Sequence, residues 1–111
     1  MPQLKQLHSM DNLHRLFFKA FSNKTRLEII SLLRKGSITV TEICEKTGFE
    51  QSRVSHNLRC LENCGFVKVT SNGNFRKYAL DKETMVPIVD LFEKHIKKYK
   101  ERLECCEVIR K

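Results

Sequence analysis

Two cysteines, Cys60 and Cys64, stand four residues apart in a stretch with a helical pattern. Side chains at that spacing are neighbours on a helix, with about 5–6 Å between their Cβ atoms. Two thiolates so placed can chelate one soft metal ion. The alternative is packing, because free cysteine is often simply buried. Three further thiols, Cys44, Cys105 and Cys106, stand elsewhere in the chain.

The length and net charge of the chain restrict its size class and its expected partners. The chain has 111 residues, enough for one modest core. Its 21 Lys and Arg outnumber 13 Asp and Glu, a net charge of +8 at pH 7, which favours nucleic acid or a membrane surface as partner. Nothing resembles a membrane span or a signal peptide, so we expect a cytoplasmic protein without structural disulfides.

Apolar periodicity predicts four helices before a hairpin. The first covers about residues 7–21 and the second 24–34, with cap candidates at Ser22 and Asn23. A capping box at residues 39–42 opens the third, which Gly48 ends. The fourth runs from residue 51 to about 63, ended by Gly65, so the last two helices form a helix-turn-helix. The apolar stripes are Leu13, Leu16, Phe17, Ala20 and Phe21; Leu27, Ile30 and Leu33; and Val54, Leu58 and Leu61.

Two strands and a final helix complete the pattern. Residues 66–70 and 75–80 are expected to pair around a turn at 72–74, after a short extended connector at 38–40. A long helix begins near Asp81 or Thr84 and reaches the terminal cysteines, with Pro87 in its first turn. The element order predicts a mainly α, dimeric winged helix-turn-helix fold with a β-hairpin wing, as a single domain over residues 1–111.

The last helix carries a heptad-like apolar stripe. In a domain this small, such a stripe has no spare partner for its full length, so we expect it to pair with a second chain over about residues 84–106. The alternative is a helix packed wholly on its own domain. The stripe comprises Val89, Phe92, Ile96, Tyr99, Leu103 and Cys106.

Several motifs together resemble the ArsR/SmtB family of metalloregulators. Residues 20–27 are similar to the family's opening motif, residues 51–55 to its recognition helix, and residues 65–67 and 73–80 to its wing. The resemblance covers about residues 13–106. It implies a DNA-binding transcriptional repressor, not an enzyme, and a homodimer to which the first helix contributes. No phosphate-binding glycine loop or catalytic motif opposes that interpretation.

The fourth helix is therefore expected to lie in the major groove of double-stranded DNA. Asn57 occupies the position of a histidine in the family, which leaves the role of that histidine in doubt. The alternative for any single residue is a solvated polar face. The expected base-reading residues are Gln51, Ser52, Ser55 and His56; the expected phosphate contacts are Arg53 and Arg59; and Lys68, Arg76 and Lys77 are expected to bracket the wing turn.

The segment 58–65 closely resembles the cadmium- and lead-sensing CmtR branch of the family. That resemblance implies a third cysteine, from the C-terminal region of the other subunit. Cys105 lies 41 residues beyond Cys64, the spacing that this branch suggests, and Cys106 is the alternative. The expected effector is Cd(II) or Pb(II), with Zn(II) or As(III) as alternatives. The motifs of two other metal-sensing branches are incomplete, at Lys46 and around Asp90.

Other modes of regulation stay open at this point. Cys44, or the adjacent Cys105 and Cys106, could form a switch that responds to thiol oxidation or persulfidation. Cys60 and Cys64 suit that chemistry less well, because the C-terminal end of a helix disfavours thiolate. A regulator without any ligand is a further alternative, as is a basic protein of the membrane surface.

Overall fold

The structure, a computed structural model, describes residues 9–110 in two compact units, one ending at Leu80 and the other beginning at Asp81. The predicted start of the first helix, at residues 7 and 8, lies outside this range. The first unit contains helices α1 (Met10–Phe21), α2 (Lys24–Arg34), α3 (Val40–Thr47) and α4 (Gln51–Asn63), and strands β1 (Ile38–Thr39), β2 (Val67–Asn72) and β3 (Phe75–Leu80). The second contains α5 (Met85–Lys98), α6 (Lys100–Glu104) and α7 (Glu107–Arg110).

Side-chain caps fix where the helices of the first unit begin. The Asn23 side chain accepts a hydrogen bond from the backbone N–H of Arg26 at 3.0 Å, so α2 starts where the sequence predicts. The Thr39 hydroxyl accepts from the Glu42 N–H at 3.2 Å, and the Glu42 carboxylate accepts from the Thr39 N–H at 3.0 Å. The predicted capping box is confirmed, and Gly48 ends α3 with φ 79°.

The capping box has a testable pH dependence. The backbone N–H of Thr39, and then its hydroxyl, hold the pKa of the Glu42 carboxyl below its ordinary value of 4.5. A carboxyl with a lowered folded pKa stabilises the fold above its unfolded pKa, and that contribution is lost as the pH falls through the folded pKa. We expect urea unfolding to show Glu42→Gln less stable than the parent at pH 7, with the difference shrinking below pH 4.5. A difference independent of pH would contradict this role of the carboxylate.

Helix α4 is seated by a buried face and a glycine cap. Val54, Leu58 and Leu61 are all buried, as the apolar spacing predicts. At its C-terminus, the Phe66 N–H bonds the Leu61 carbonyl at 2.9 Å and the Gly65 N–H bonds the Glu62 carbonyl at 3.0 Å. This is the Schellman arrangement, which needs the positive φ of 80° that Gly65 adopts. The remaining core of this unit comprises Ile29, Ile30, Leu33, Ile43, Phe66, Val67, Tyr78 and Leu80.

One member of the expected core is wrong. The apolar spacing predicts that Leu27 is buried in α2, but Leu27 is 37% exposed, and Ile29 is fully buried instead. Spacing alone cannot decide between them, because α2 buries Ile29, Ile30 and Leu33, a face rotated from the predicted one.

The three strands form one antiparallel sheet in the order β1-β3-β2. The predicted connector supplies β1, whose Ile38 lies opposite Tyr78, although Val40 already belongs to α3. The hairpin is longer than predicted, since the last pair is Asn72 opposite Phe75 and only Gly73 and Asn74 form the loop. Gly73 has φ 65°, in keeping with a glycine at the first loop position of a tight hairpin.

The predicted single long C-terminal helix is wrong. The helical segment is interrupted at Tyr99, which has φ −117° and ψ 26°, and again at Cys105 and Cys106. No proline or glycine stands there; the first interruption falls among like charges four residues apart, Lys98 and Arg102 among them, which destabilise a helix. Pro87 lies in the first turn of α5, as predicted.

The helices and hairpin of the first unit follow the order of a winged helix-turn-helix, with α3 and α4 as the helix pair and β2–β3 as the wing. Among the described residues, none of the helices is long and apolar enough to cross a membrane.

Candidate nucleic-acid interface and thiol site

The solvent face of α4 carries the residues that the sequence selects for base reading. Gln51, Ser52 and His56 are exposed and Ser55 is half-buried, opposite the buried apolar face of the helix. Arg59 is exposed farther along. The arrangement presents amide, hydroxyl and imidazole groups together at the N-terminal half of one helix, the part that docking in a major groove brings to the bases.

Arg53 is held more firmly than a surface arginine usually is. Its Nε donates to the hydroxyl of the buried Thr25 at 2.8 Å, and its guanidinium lies 4.0 Å from the centre of the Phe49 ring. These contacts restrict the side chain between α2 and the start of α4. The expected phosphate contact of Arg53 stays a prediction.

A hydrogen-bond cluster around Arg26 is a feature that the sequence did not predict. Arg26 donates from Nε to the Ala20 carbonyl at 2.7 Å and from one terminal nitrogen to the side-chain oxygen of Asn57 at 3.4 Å. Asn57 is buried and donates to the Arg53 carbonyl at 2.9 Å. The residue that replaces the family's histidine is therefore a link inside the fold, not a free surface group.

The charged residues of the wing lie at two distances from its turn. Arg76 lies opposite Ser71 and Lys77 opposite Thr70, within two or three pairs of the turn. Lys68 pairs with Ala79, farther from the turn than Arg76 and Lys77, and its contact with DNA stays a prediction. Because β2 runs to Asn72, Lys68 stands four residues back, at the base of the wing, about 13 Å from the tip at roughly 3.3 Å per residue.

Phe75 is an aromatic residue at the tip of the wing, for which the sequence predicts only a strand conformation. Phe75 is 67% exposed beside the loop, next to Arg76. Alternation along β3 signals a strand, but it gives no information about exposure where the hairpin projects from the core. An apolar group at that point is suited to contact in a minor groove.

Cys60 and Cys64 occupy the last turn of α4 and its cap. Cys60 is half-buried and Cys64 is exposed as the C-cap residue, with its backbone N–H bonded to the Cys60 carbonyl at 3.1 Å. The spacing of four residues on one helix makes the two side chains neighbours, as predicted. The Schellman cap at Gly65 fixes the position of both on the end of the helix that also carries the reading face.

The electrostatics of the pair disfavour a free thiolate. Partial burial of the otherwise exposed Cys64 raises the pKa of its thiol, the neighbouring Cys60 raises that pKa further, and the positive charge of Arg26 lowers it. Cys64 is thus mainly a protonated thiol at neutral pH. Such a thiol reacts slowly with oxidants, whereas a soft metal removes the proton when it binds.

The remaining thiols lie on other segments of the chain. Cys44 is half-buried on α3, Cys106 is half-buried and Cys105 is exposed, the last two lying between α6 and α7. Within residues 9–110 of one chain, no three His, Cys, Asp or Glu side chains are grouped so that they could hold a metal ion. The two thiols of the Cys60–Cys64 pair are donors of the kind that a soft metal ion prefers.

Apolar side chains remain exposed on two helical segments. On α1, Leu13 and Leu16 are uncovered, while Phe17 and Phe21 pack on Phe66 with ring centres 5.2 and 5.3 Å away. On the predicted stripe of the second unit, Ile96 is 42% and Leu103 is 44% exposed. The exposed part of the stripe begins after Val89, because Val89 is already fully buried in the single chain.

Comparison with known proteins places these features among regulators. The profile of the bacterial regulatory protein arsR family matches residues 23–69. A probable mercury resistance operon repressor of Streptomyces lividans is 31% identical over 90 residues, which cover 81% of this chain and 72% of that protein. The transcriptional regulator CmtR of Mycobacterium bovis is 34% identical over 62 residues, 56% of this chain and 52% of its own length.

A solved structure is similar over most of the chain. It is the homodimeric winged helix-turn-helix DNA-binding domain of a possible ArsR-family regulator from Mycobacterium bovis, with a TM-score of 0.72 and 26% identity. The match covers 86% of this chain and 94% of that domain. The winged helix-turn-helix fold predicted from the sequence is confirmed.

Proposed function

This chain belongs to the ArsR family of bacterial regulatory proteins, and from that premise we propose that it is a homodimeric repressor that releases its operator when a soft metal binds Cys60, Cys64 and a third cysteine. The third ligand is Cys105, or Cys106, of the other subunit. The family consists of transcriptional regulators and not of enzymes. A helix-turn-helix regulator acts on DNA, which agrees with the net charge of +8 per chain.

One observation carries the metal proposal: two neighbouring thiols lie on the last turn of the reading helix itself. Thiolates select soft ions such as Cd(II), Pb(II) or Hg(II) over harder ones. The mercury resistance repressor among the relatives supports an effector of this class. A packing role explains Cys64 less well than a ligand role does, because Cys64 is exposed and contributes little to the core.

The position of the thiols suggests how metal binding reaches DNA. A bound soft ion supplies bonds that hold deprotonated sulfurs at fixed separations. Cys60 and Cys64 move with α4, whereas Cys105 and Cys106 follow the segment that we propose for dimerisation. A metal ion bound by both segments fixes the position of α4 relative to the C-terminal segment, and thereby the distance between the two reading helices of the dimer. Binding to adjacent half-sites requires that distance to be about one turn of DNA. By reciprocity, operator DNA weakens metal binding by the same free energy, typically about 1–3 kcal/mol.

A panel of effectors tests this function. Operator-bound protein is titrated with Cd(II), Pb(II), Hg(II), As(III), Zn(II) and an oxidant such as diamide, and the affinity for DNA is followed by fluorescence anisotropy. We expect the thiophilic ions to release DNA and the oxidant to have a smaller effect. Release by the oxidant alone would favour a thiol switch at Cys44 or at Cys105 and Cys106 instead. No response to any ion would contradict metal sensing.

The reading face makes a separate prediction about sequence preference. Ser55→Ala or Gln51→Ala should relax the preference at one base pair at a cost of about 1–3 kcal/mol. Arg76→Ala should weaken binding to all sequences alike and lower the salt dependence by about one unit of slope, because a phosphate contact releases a counterion. Selection of bound duplexes, followed by salt titration, measures both effects. Selected sites without a two-fold pattern at about 10 bp spacing would contradict this docking.

A further inference from the structure

Arg53 is an exposed residue whose side chain nevertheless contacts two other segments of the first unit. It is the third residue of α4, in the first turn of the helix that carries the reading face. Its Nε donates to the Thr25 hydroxyl at 2.8 Å, and its Cζ lies 4.0 Å from the centre of the Phe49 ring. The guanidinium is therefore held both by α2 and by the turn between α3 and α4.

Both partners of this guanidinium are themselves restrained. Thr25 is only 4% exposed and is the second residue of α2, whose start is capped by Asn23. Phe49 is half-buried, and its backbone N–H donates to the Thr47 hydroxyl at 3.1 Å. Because neither partner is a mobile surface group, the two contacts restrict the conformations of Arg53 in the protein without DNA.

The two contacts leave most of the hydrogen-bonding capacity of the guanidinium for another ligand. A guanidinium carries five N–H donors, and the bond to Thr25 uses the one at Nε. Within residues 9–110, the four N–H groups on the two terminal nitrogens of Arg53 have no protein acceptor. Such a pair of nitrogens suits the bidentate binding of a phosphate group.

We propose that Thr25 is a positioning residue for DNA binding, whose hydroxyl, together with the Phe49 ring, holds Arg53 in place to bind one phosphate of the DNA backbone. This inference rests on the DNA-binding part of the proposed function and is independent of the metal site. Ordering a long, free side chain on binding costs affinity, and a side chain already restrained in the free protein avoids part of that cost. Because Thr25 is buried, it acts on DNA through Arg53 and not by direct contact.

A double-mutant cycle tests whether Thr25 acts through Arg53. The variants are Thr25→Val, which removes the hydroxyl but keeps the shape of the side chain, Arg53→Ala, and the two changes combined. Thr25→Ser is the matched control, because serine keeps a hydroxyl that can accept from Arg53. Fluorescence anisotropy at several salt concentrations measures affinity for a selected operator and for duplexes with single base pairs changed, and thermal unfolding shows that each variant is folded.

Thr25→Val should weaken operator binding by roughly 2- to 10-fold, the cost of ordering one long side chain, and by the same factor on the changed duplexes. Thr25→Ser should bind like the parent. In the Arg53→Ala background, Thr25→Val should change affinity by no more than about twofold. Arg53→Ala itself should lower the salt dependence by about one unit of slope, because one phosphate contact is lost.

Three results would contradict this inference at different points. An equal loss from Thr25→Val with and without Arg53 would overturn the positioning role, because a purely structural effect of Thr25 does not require Arg53. An unchanged salt slope in Arg53→Ala, with relaxed preference at one G·C pair, would overturn phosphate as the ligand. A parent protein that binds none of the duplexes in a random pool would contradict the proposed DNA-binding function, and this inference with it.

Discussion

Cys60→Ser and Cys64→Ser are each expected to abolish the ultraviolet absorbance that Cd(II) produces with thiolates and to leave operator binding insensitive to Cd(II). The physical reason is that a serine hydroxyl is a poor ligand for a soft ion, so only two of the three proposed thiolate ligands remain. The loss of metal affinity should exceed the roughly 10–100-fold that changes outside the ligand set cause. Absorbance titration and fluorescence anisotropy measure the two effects.

Cys44→Ser provides the control for that experiment. Cys44 lies on α3, a different helix from the one that carries the Cys60–Cys64 pair, so its replacement should leave both metal absorbance and release of DNA intact. Metal binding that survives in both the Cys60 and the Cys64 variants would place the ligands elsewhere. Loss of binding in the Cys44 variant would add that thiol to the site.

Ile96→Glu is expected to convert the dimer into a monomer that binds operator weakly. Ile96 is exposed in the single chain, on the apolar stripe that we propose as the interface. An uncompensated charge buried in such an interface costs about 3–5 kcal/mol, or roughly two to four powers of ten in the dissociation constant of the dimer. Sedimentation velocity over a range of concentrations measures the change in assembly.

Leu91→Glu is the matched control, because Leu91 is 67% exposed on the same helix but lies off the stripe. It introduces the same charge into a similar aliphatic side chain, and the dimer should persist. An intact dimer with Ile96→Glu would remove this stripe from the interface and leave the exposed apolar face of α1 as the remaining candidate.

Local signals explain most of what could be predicted from the sequence. Asn23 and the Thr39–Glu42 capping box satisfy helix ends through side chains three residues apart, so the starts of α2 and α3 can be read directly. Gly65 and Gly73 mark turns that require positive φ, and they delimit α4 and the hairpin. The adjacency of Cys60 and Cys64 follows from helical spacing alone.

Features that depend on tertiary context could not be predicted in the same way. The place of Lys68 at the base of the wing depends on strand length, and apolar periodicity does not register the interruption of the helix at Tyr99. The hydrogen bond from Arg26 to Asn57 joins residues 31 positions apart, and no local pattern signals it. Sequence reasoning found the neighbouring thiols but missed the hydrogen-bond cluster around Arg26.

A mixed dimer tests most directly that the proposed metal site is shared between subunits. One chain carries Cys60→Ser and the other carries Cys105→Ser with Cys106→Ser, each with a different affinity tag so that the mixed species can be purified. A shared site places both defects in one of the two sites and leaves the other whole. We predict one tightly bound Cd(II) per mixed dimer and none in the homodimer of either variant chain. A mixed dimer without bound Cd(II) would contradict the shared site.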